Sequence, residues 1–129
     1  MSTWTSFEDI ESWQLARIFC KDIYRIMNYK GLSTDFRLRD QINGSSGSIM
    51  DNVAEGFERN GNKEFINFLS IAKASAGESR SQLYRIYDRE YITKEEFEKL
   101  KQDALNISGK IANLMKYLKK SDFKGIKFK

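Results

Sequence analysis

The chain has 129 residues, with 22 Lys+Arg against 18 Asp+Glu, no histidine, no proline and one cysteine. That length fits one domain whose core needs no staples, and a lone cysteine excludes an internal disulfide and points to a reducing compartment. The missing histidine removes the commonest general base and metal ligand, and no stretch approaches the roughly 18–20 apolar residues needed to span a bilayer.

The first helix is expected from about Phe7 to Tyr29, with Ser6 as N-cap and Gly31 as the terminating residue. Trp13, Ala16, Cys20, Ile23 and Met27 follow 3-4-3-4 spacing and share one face. Leu15, Phe19 and Ile26 widen that stripe sideways, beyond what one bundle seam needs.

A second helix is expected over about 35–59, capped by Thr34 or Ser33, with Phe36, Leu38, Ile42, Ile49, Val53 and Phe57 as its apolar stripe. Its centre, Gly44-Ser45-Ser46-Gly47-Ser48, reads either as a break or as a helix whose small residues admit a neighbouring backbone. Ile42, Ser46, Ile49 and Val53 keep 4-3-4 spacing across it, which favours a continuous helix.

Asn60-Gly61-Asn62 is a turn, and Asn62 is the expected cap of a third helix over about 63–89. Phe65, Leu69, Ala72, Ala76, Ser79, Leu83 and Ile86 supply its seam, while Ile66, Ile71 and Tyr84 fall off it. Thr93-Lys94-Glu95-Glu96 is a capping box, flanked by Ile92 and Phe97 at the positions of a hydrophobic staple. From there Phe97, Leu100, Ala104, Ile107, Ile111, Leu114 and Leu118 mark a fourth helix over about 94–120.

Four helices of roughly 23–27 residues, about 35–40 Å each, joined by short turns, predict a single all-α domain. The expected architecture is an antiparallel up-down-up-down four-helix bundle with left-handed packing. The opening residues Met1 to Ser6 lack a basic stretch followed by an apolar run, so a soluble, cytoplasmic protein is expected.

The chain is read as no enzyme, with no metal and no cofactor. Di-iron bundles need Glu-x-x-His pairs, and this chain has no histidine. Cys20 reads as a buried apolar thiol, and Glu95 and Glu96 as helix-capping residues. Residues 1–118 carry 17 basic and 17 acidic side chains, so the whole net charge of +4 sits in the C-terminal tail.

Asn52-Val53-Ala54-Glu55-Gly56-Phe57-Glu58-Arg59, then Lys63-Glu64-Phe65-Ile66-Asn67-Phe68-Leu69-Ser70-Ile71-Ala72, Ala74-Ser75, Glu78 and Gln82-Leu83 form a more specific pattern. With Phe7-Glu8-Asp9-Ile10, Trp13-Gln14-Leu15-Ala16 and the Tyr91-to-Phe97 turn, it resembles the small four-helix-bundle proteins encoded in intervening sequences of bacterial 23S ribosomal RNA genes. The resemblance spans about Phe7 to Lys120, and departs at Met50, where the family has proline, and in the Gly/Ser-rich centre of the second helix. It implies a homo-oligomer, a pentamer of bundles packed side by side, and an association with RNA. A distant relative is the accessory protein of diversity-generating retroelements, which works with a reverse transcriptase; that implies the competing reading of a protein-interaction scaffold or accessory subunit of a nucleic-acid enzyme.

Three groups of candidate residues follow. Lys119, Lys120, Lys124, Lys127 and Lys129, interleaved with Phe123 and Phe128, suit contacts to nucleic-acid phosphates and bases, or form a solvated terminus. Asn52, Glu55, Glu64 and Glu78 are the polar residues of the family-like stretch, either a partner site or structural groups, with Glu55 and Glu64 tying the Asn60–Asn62 turn and Glu78 pairing with an Arg or Lys. Leu15, Phe19, Ile26, Ile66, Ile71 and Tyr84 are candidates for an oligomer interface, set against ordinary exposed hydrophobes.

Overall fold

The computed structural model describes residues 4–121. Four long helices dominate it: α1 (Glu11–Met27), α3 (Phe36–Glu58), α4 (Asn62–Asp88) and α5 (Lys94–Lys120). A 3₁₀ turn, Phe7–Asp9, precedes α1, and a short helix α2 (Lys30–Thr34) joins α1 to α3. Side-chain pairs give the directions. Asp22 meets Lys99 while Glu11 meets Lys110, so α1 and α5 run antiparallel. Ser45 meets Gln82 while Ser48 meets Ser75, so α3 and α4 do too. Asn62 meets Leu118 while Tyr87 stacks on Phe97, which sets α4 against α5 in the same way.

The expected start of the first helix is corrected. The Asp9 carboxylate accepts hydrogen bonds from the Thr5 and Ser6 amides at 2.9 and 3.3 Å and from the Thr5 hydroxyl at 2.9 Å. Those bonds wind a tight turn, Ile10 is left extended, and the α-helix begins only at Glu11. Its end is corrected as well. Asn28 follows the last helical residue, and Gly31 lies inside α2 rather than terminating α1. Glycine is needed at 31 for space: a Cβ there would lie 2.3 Å from the Tyr91 ring.

Of the expected α1 seam, Ala16 and Ile23 are buried, but the core face is completed by Ser12, Phe19 and Ile26 in place of Trp13, Cys20 and Met27. Phe19 and Ile26 are 0 % exposed, so these two interface candidates belong to the core of the single chain. Cys20 is half-buried and its thiol donates to the Ser46 carbonyl at 3.2 Å; burial raises its pKa, which disfavours the thiolate.

Helix α3 is continuous through Gly44–Ser48. The serines, not the glycines, face inward: Ser45 and Ser46 are buried, whereas a Cβ added at Gly44 or Gly47 meets nothing within 4 Å. Phe36, expected in the stripe, is exposed and lies under the Arg39 guanidinium. Gly56 is where α3 and α4 do approach closely, with Phe65 and Phe68 against its Cα.

The expected seam of α4 is buried throughout, from Phe65 to Ile86. Its end is a Schellman motif, with Tyr91 N–H bonding Ile86 O, Glu90 N–H bonding Tyr87 O, and Glu90 in the left-handed region at φ 61°. The capping box then starts α5: Thr93 Oγ1 accepts from Glu96 N–H at 3.1 Å, and the Glu96 carboxylate accepts from Thr93 N–H at 2.8 Å. Ile92 and Phe97 are buried beside it, as a staple requires.

Candidate functional site

The sequence candidates that come together do so at one end of the bundle, where α3 ends, α4 begins and α5 ends. The turn there depends on Gly61, whose φ of 89° with ψ of 162° is a region open essentially to glycine alone. Gly61 also stands at the N-cap of α4, so no side chain caps that helix. Asn62, the expected cap, is instead the first helical residue. Its amide Nδ2 donates to the carbonyls of Leu118 and Ser121, at 3.2 and 3.3 Å. Those carbonyls belong to the last turn of α5, which has no partners of its own, so one side chain both closes α5 and ties the tail's exit to the start of α4.

Beside this tie is an open hollow of about 390 Å³ lined by Asn60, Lys63, Ile66, Leu118, Lys119 and Ser121, among others. Lys63 and Lys119 are exposed at its rim, and Lys120 is exposed on the same last turn of α5. The uncapped amides of α4 add the positive end of a 27-residue helix. The negative end of α5 is muted where Asn62 covers its carbonyls. Lys63, Lys119 and the α4 amides therefore lie together here, with Glu64 in the first turn of α4 offsetting part of their charge. Lys124, Lys127 and Lys129 lie outside the described residues.

Glu55 and Glu64 also sit at this end, and both are engaged by Arg59, at 3.1 and 4.0 Å. The same guanidinium lies 4.9 Å from the Phe68 ring. These ion pairs brace the turn. Asn52 and Glu78 lie elsewhere, along the α3–α4 seam. Asn52 donates to Ser48 O and Oγ, and Ser75 donates to Ser48 Oγ. Glu78 accepts from Gln82 Nε2 at 3.4 Å, in place of the expected Arg or Lys partner. Gln82 Oε1 in turn accepts from Ser45 Oγ, which also bonds Ser79 Oγ. This buried polar ladder was not singled out from sequence; the serines at Ser45, Ser75 and Ser79, at helical spacing on two neighbouring elements, were its signal.

The interface candidates do not form one patch. Besides the buried Phe19 and Ile26, Leu15 lines a groove between α1 and α5, and Ile66 lines the hollow against α5. Tyr84 packs edge-on against Phe97, and Ile71 is exposed. Among the described residues no group of His, Cys, Asp and Glu could hold a metal ion, and no helix is long and apolar enough to cross a membrane.

Residues 8–113 match the model of the 23S rRNA-intervening sequence protein family. Among solved structures, the chain is similar to a protein of unknown function from the S23 ribosomal protein family of Bacteroides thetaiotaomicron. The two are 27% identical with a TM-score of 0.75, over 81% of this chain and 98% of that one. No curated protein matches the sequence.

Proposed function

Because this chain belongs to the 23S rRNA-intervening sequence protein family, we propose that it is a non-catalytic, oligomeric cytoplasmic protein that binds RNA through the lysine-bearing end of the bundle. The observation that carries this reading is the Asn62 tie, which sets the exit of the basic tail beside Lys63 and the uncapped start of α4. Lysines and helix N-termini contact phosphate without reading sequence, so the reading needs neither metal nor cofactor. Homo-oligomers, with a pentamer as the expected number, would repeat this end around an axis and multiply a modest charge.

The test is anisotropy of a labelled structured RNA titrated at several salt concentrations. Steep weakening with salt is expected, and removing residues 119–129, with five lysines, should flatten the slope by up to about 3.5–4.5 on the log–log plot. Unchanged binding by the truncated protein would remove the tail from the interface. Light scattering checks assembly, and a monomer at micromolar concentration would remove that part.

A second reading, a scaffold that docks another protein such as a nucleic-acid enzyme, draws on the groove between α1 and α5. Ile18 and Leu105 are exposed there, 55% and 40%, with Leu15 beneath. Absence of RNA binding at low salt, with capture of a protein partner insensitive to salt, would favour it.

A further inference from the structure

We propose that a second hollow, between the first turn of α1 and the C-terminal half of α5, receives a single unstacked nucleobase; this rests on the RNA reading and specifies it. The hollow holds about 350 Å³ and is lined by Trp4, Ser12, Lys110, Asn113, Leu114 and Tyr117, among others. It lies at the lysine-bearing end, because Tyr117 directly precedes Leu118, to which Asn62 is tied. The two hollows thus occupy two sides of the last turns of α5.

Its chemistry is mixed in the way a heterocyclic base demands. Trp4 and Tyr117 are half-buried and meet edge to face with ring centroids 6.1 Å apart, offering aromatic surface for stacking. Ser12 is only 2% exposed, yet its hydroxyl has no hydrogen-bond partner among the described residues. Buried hydroxyls are rarely left so, and Ser12 is one of the residues that line the hollow, where a guest can supply the missing partner. The exposed Asn113 carboxamide, which makes no hydrogen bond to the described residues, can pair with the edge of a base in both senses.

An ammonium guest suits this pocket less well. The Glu11 carboxylate is held by Lys110 at 3.3 Å, and that of Asp9 by the Thr5 and Ser6 amides. Lys110 offsets Glu11 and already places a cation at the hollow, so the aromatic pair favours a neutral planar ring with polar edges.

Trp4 and Trp13 are the two tryptophans of the chain, so in a Trp13→Phe background Trp4 is the sole indole reporter. Short single-stranded oligoadenylate should quench its fluorescence, whereas an abasic strand of equal length, binding through phosphates alone, should not. In the full-length protein, Trp4→Ala should weaken oligoadenylate binding about 5- to 150-fold and leave the abasic strand unaffected. Ser12→Ala, which removes one oxygen without a change of backbone, should weaken oligoadenylate in the same selective sense. Equal affinity for both strands, unmoved by Trp4→Ala and Ser12→Ala, would overturn the base pocket while sparing the lysine interface. Binding of neither strand, nor of structured RNA, would overturn both. Quenching by tetramethylammonium but not by oligoadenylate would overturn it in favour of a cation cage.

Discussion

Replacing Gly44 and Gly47 together by alanine should stabilise the protein, whereas the same change at Gly56, in the same helix, should not. All three glycines lie inside α3, where alanine is favoured by about 0.8–1.0 kcal/mol per site. At Gly44 and Gly47 nothing stands within 4 Å of the new methyl group, so the gain is unopposed and should total about 1.5–2 kcal/mol. For a chain of 129 residues that raises Tm by about 5–10 °C. At Gly56 the methyl would lie 2.7 Å from Phe68 Cβ, 3.0 Å from Phe65 Cδ1 and 3.3 Å from Phe65 O. Relief requires α3 and α4 to part, and overpacking of this kind costs about 1–3 kcal/mol, which equals or exceeds the propensity gain. Urea unfolding followed by circular dichroism reads both variants, the midpoint moving at constant slope. A lower midpoint for Gly44→Ala/Gly47→Ala would refute the reasoning. It would mean that the space outside α3 is filled in solution by another chain, and a midpoint that rises with protein concentration would identify that case.

The remaining predictions concern helix ends and charge. Glu90→Gly should raise stability by about 1 kcal/mol, because an L-residue sits at φ 61° where glycine carries no Cβ penalty; an unchanged thermal midpoint would argue against strain there. Thr93→Ala should cost about 1 kcal/mol by opening the capping box, visible as a lower urea midpoint, and Thr93→Ser should restore most of it. Asn62→Ala should loosen the end of α5, seen as faster amide exchange near Leu118, and weaken RNA binding. Asp35 accepts from the Tyr91 hydroxyl and from Arg89, which hold its carboxyl below the usual carboxylate range. Its contribution to stability is therefore complete above about pH 4, where the unfolded carboxyl is ionised. It is lost as pH falls through the lowered folded value, and an Asp35→Asn variant with the same acid-unfolding slope would dismiss that linkage.

What was legible in the sequence was what neighbouring residues decide. The Thr93–Glu96 box, the staple around it and the seams of α4 and α5 are local patterns, and the structure repeats them, except that Leu114 of the α5 seam is only half-buried. The continuity of α3 was legible because the apolar phase runs unbroken across its glycines. What escaped depends on contacts distant in sequence or on competing local bonds. Asp9 could cap a helix or fold back on Thr5, and it folds back. The apolar arc of α1 is wide because α1 packs against both α3 and α5, and periodicity alone does not say which half of the arc faces the centre. Asn62 fits a cap by position, yet its amide reaches across 56 residues to Leu118. That long-range bond turned two separate candidates, a turn and a tail, into one place.

The bond also constrains how this protein can meet RNA. With 17 acids and 17 bases before Lys119, the helical body carries no net charge, so long-range steering by one chain is weak. On the RNA reading proposed above, binding is then local, drawing on Lys63, Lys119 and the amides of α4. Local charge of this size gives low affinity alone. Two routes strengthen it: repetition of the end around an oligomer axis, which adds phosphate contacts and steepens the salt slope, and a base held at Trp4 and Tyr117, which adds affinity that salt leaves nearly unchanged. A salt titration of the oligomer against RNA therefore separates the two contributions, slope reporting the phosphates and the high-salt intercept reporting the base.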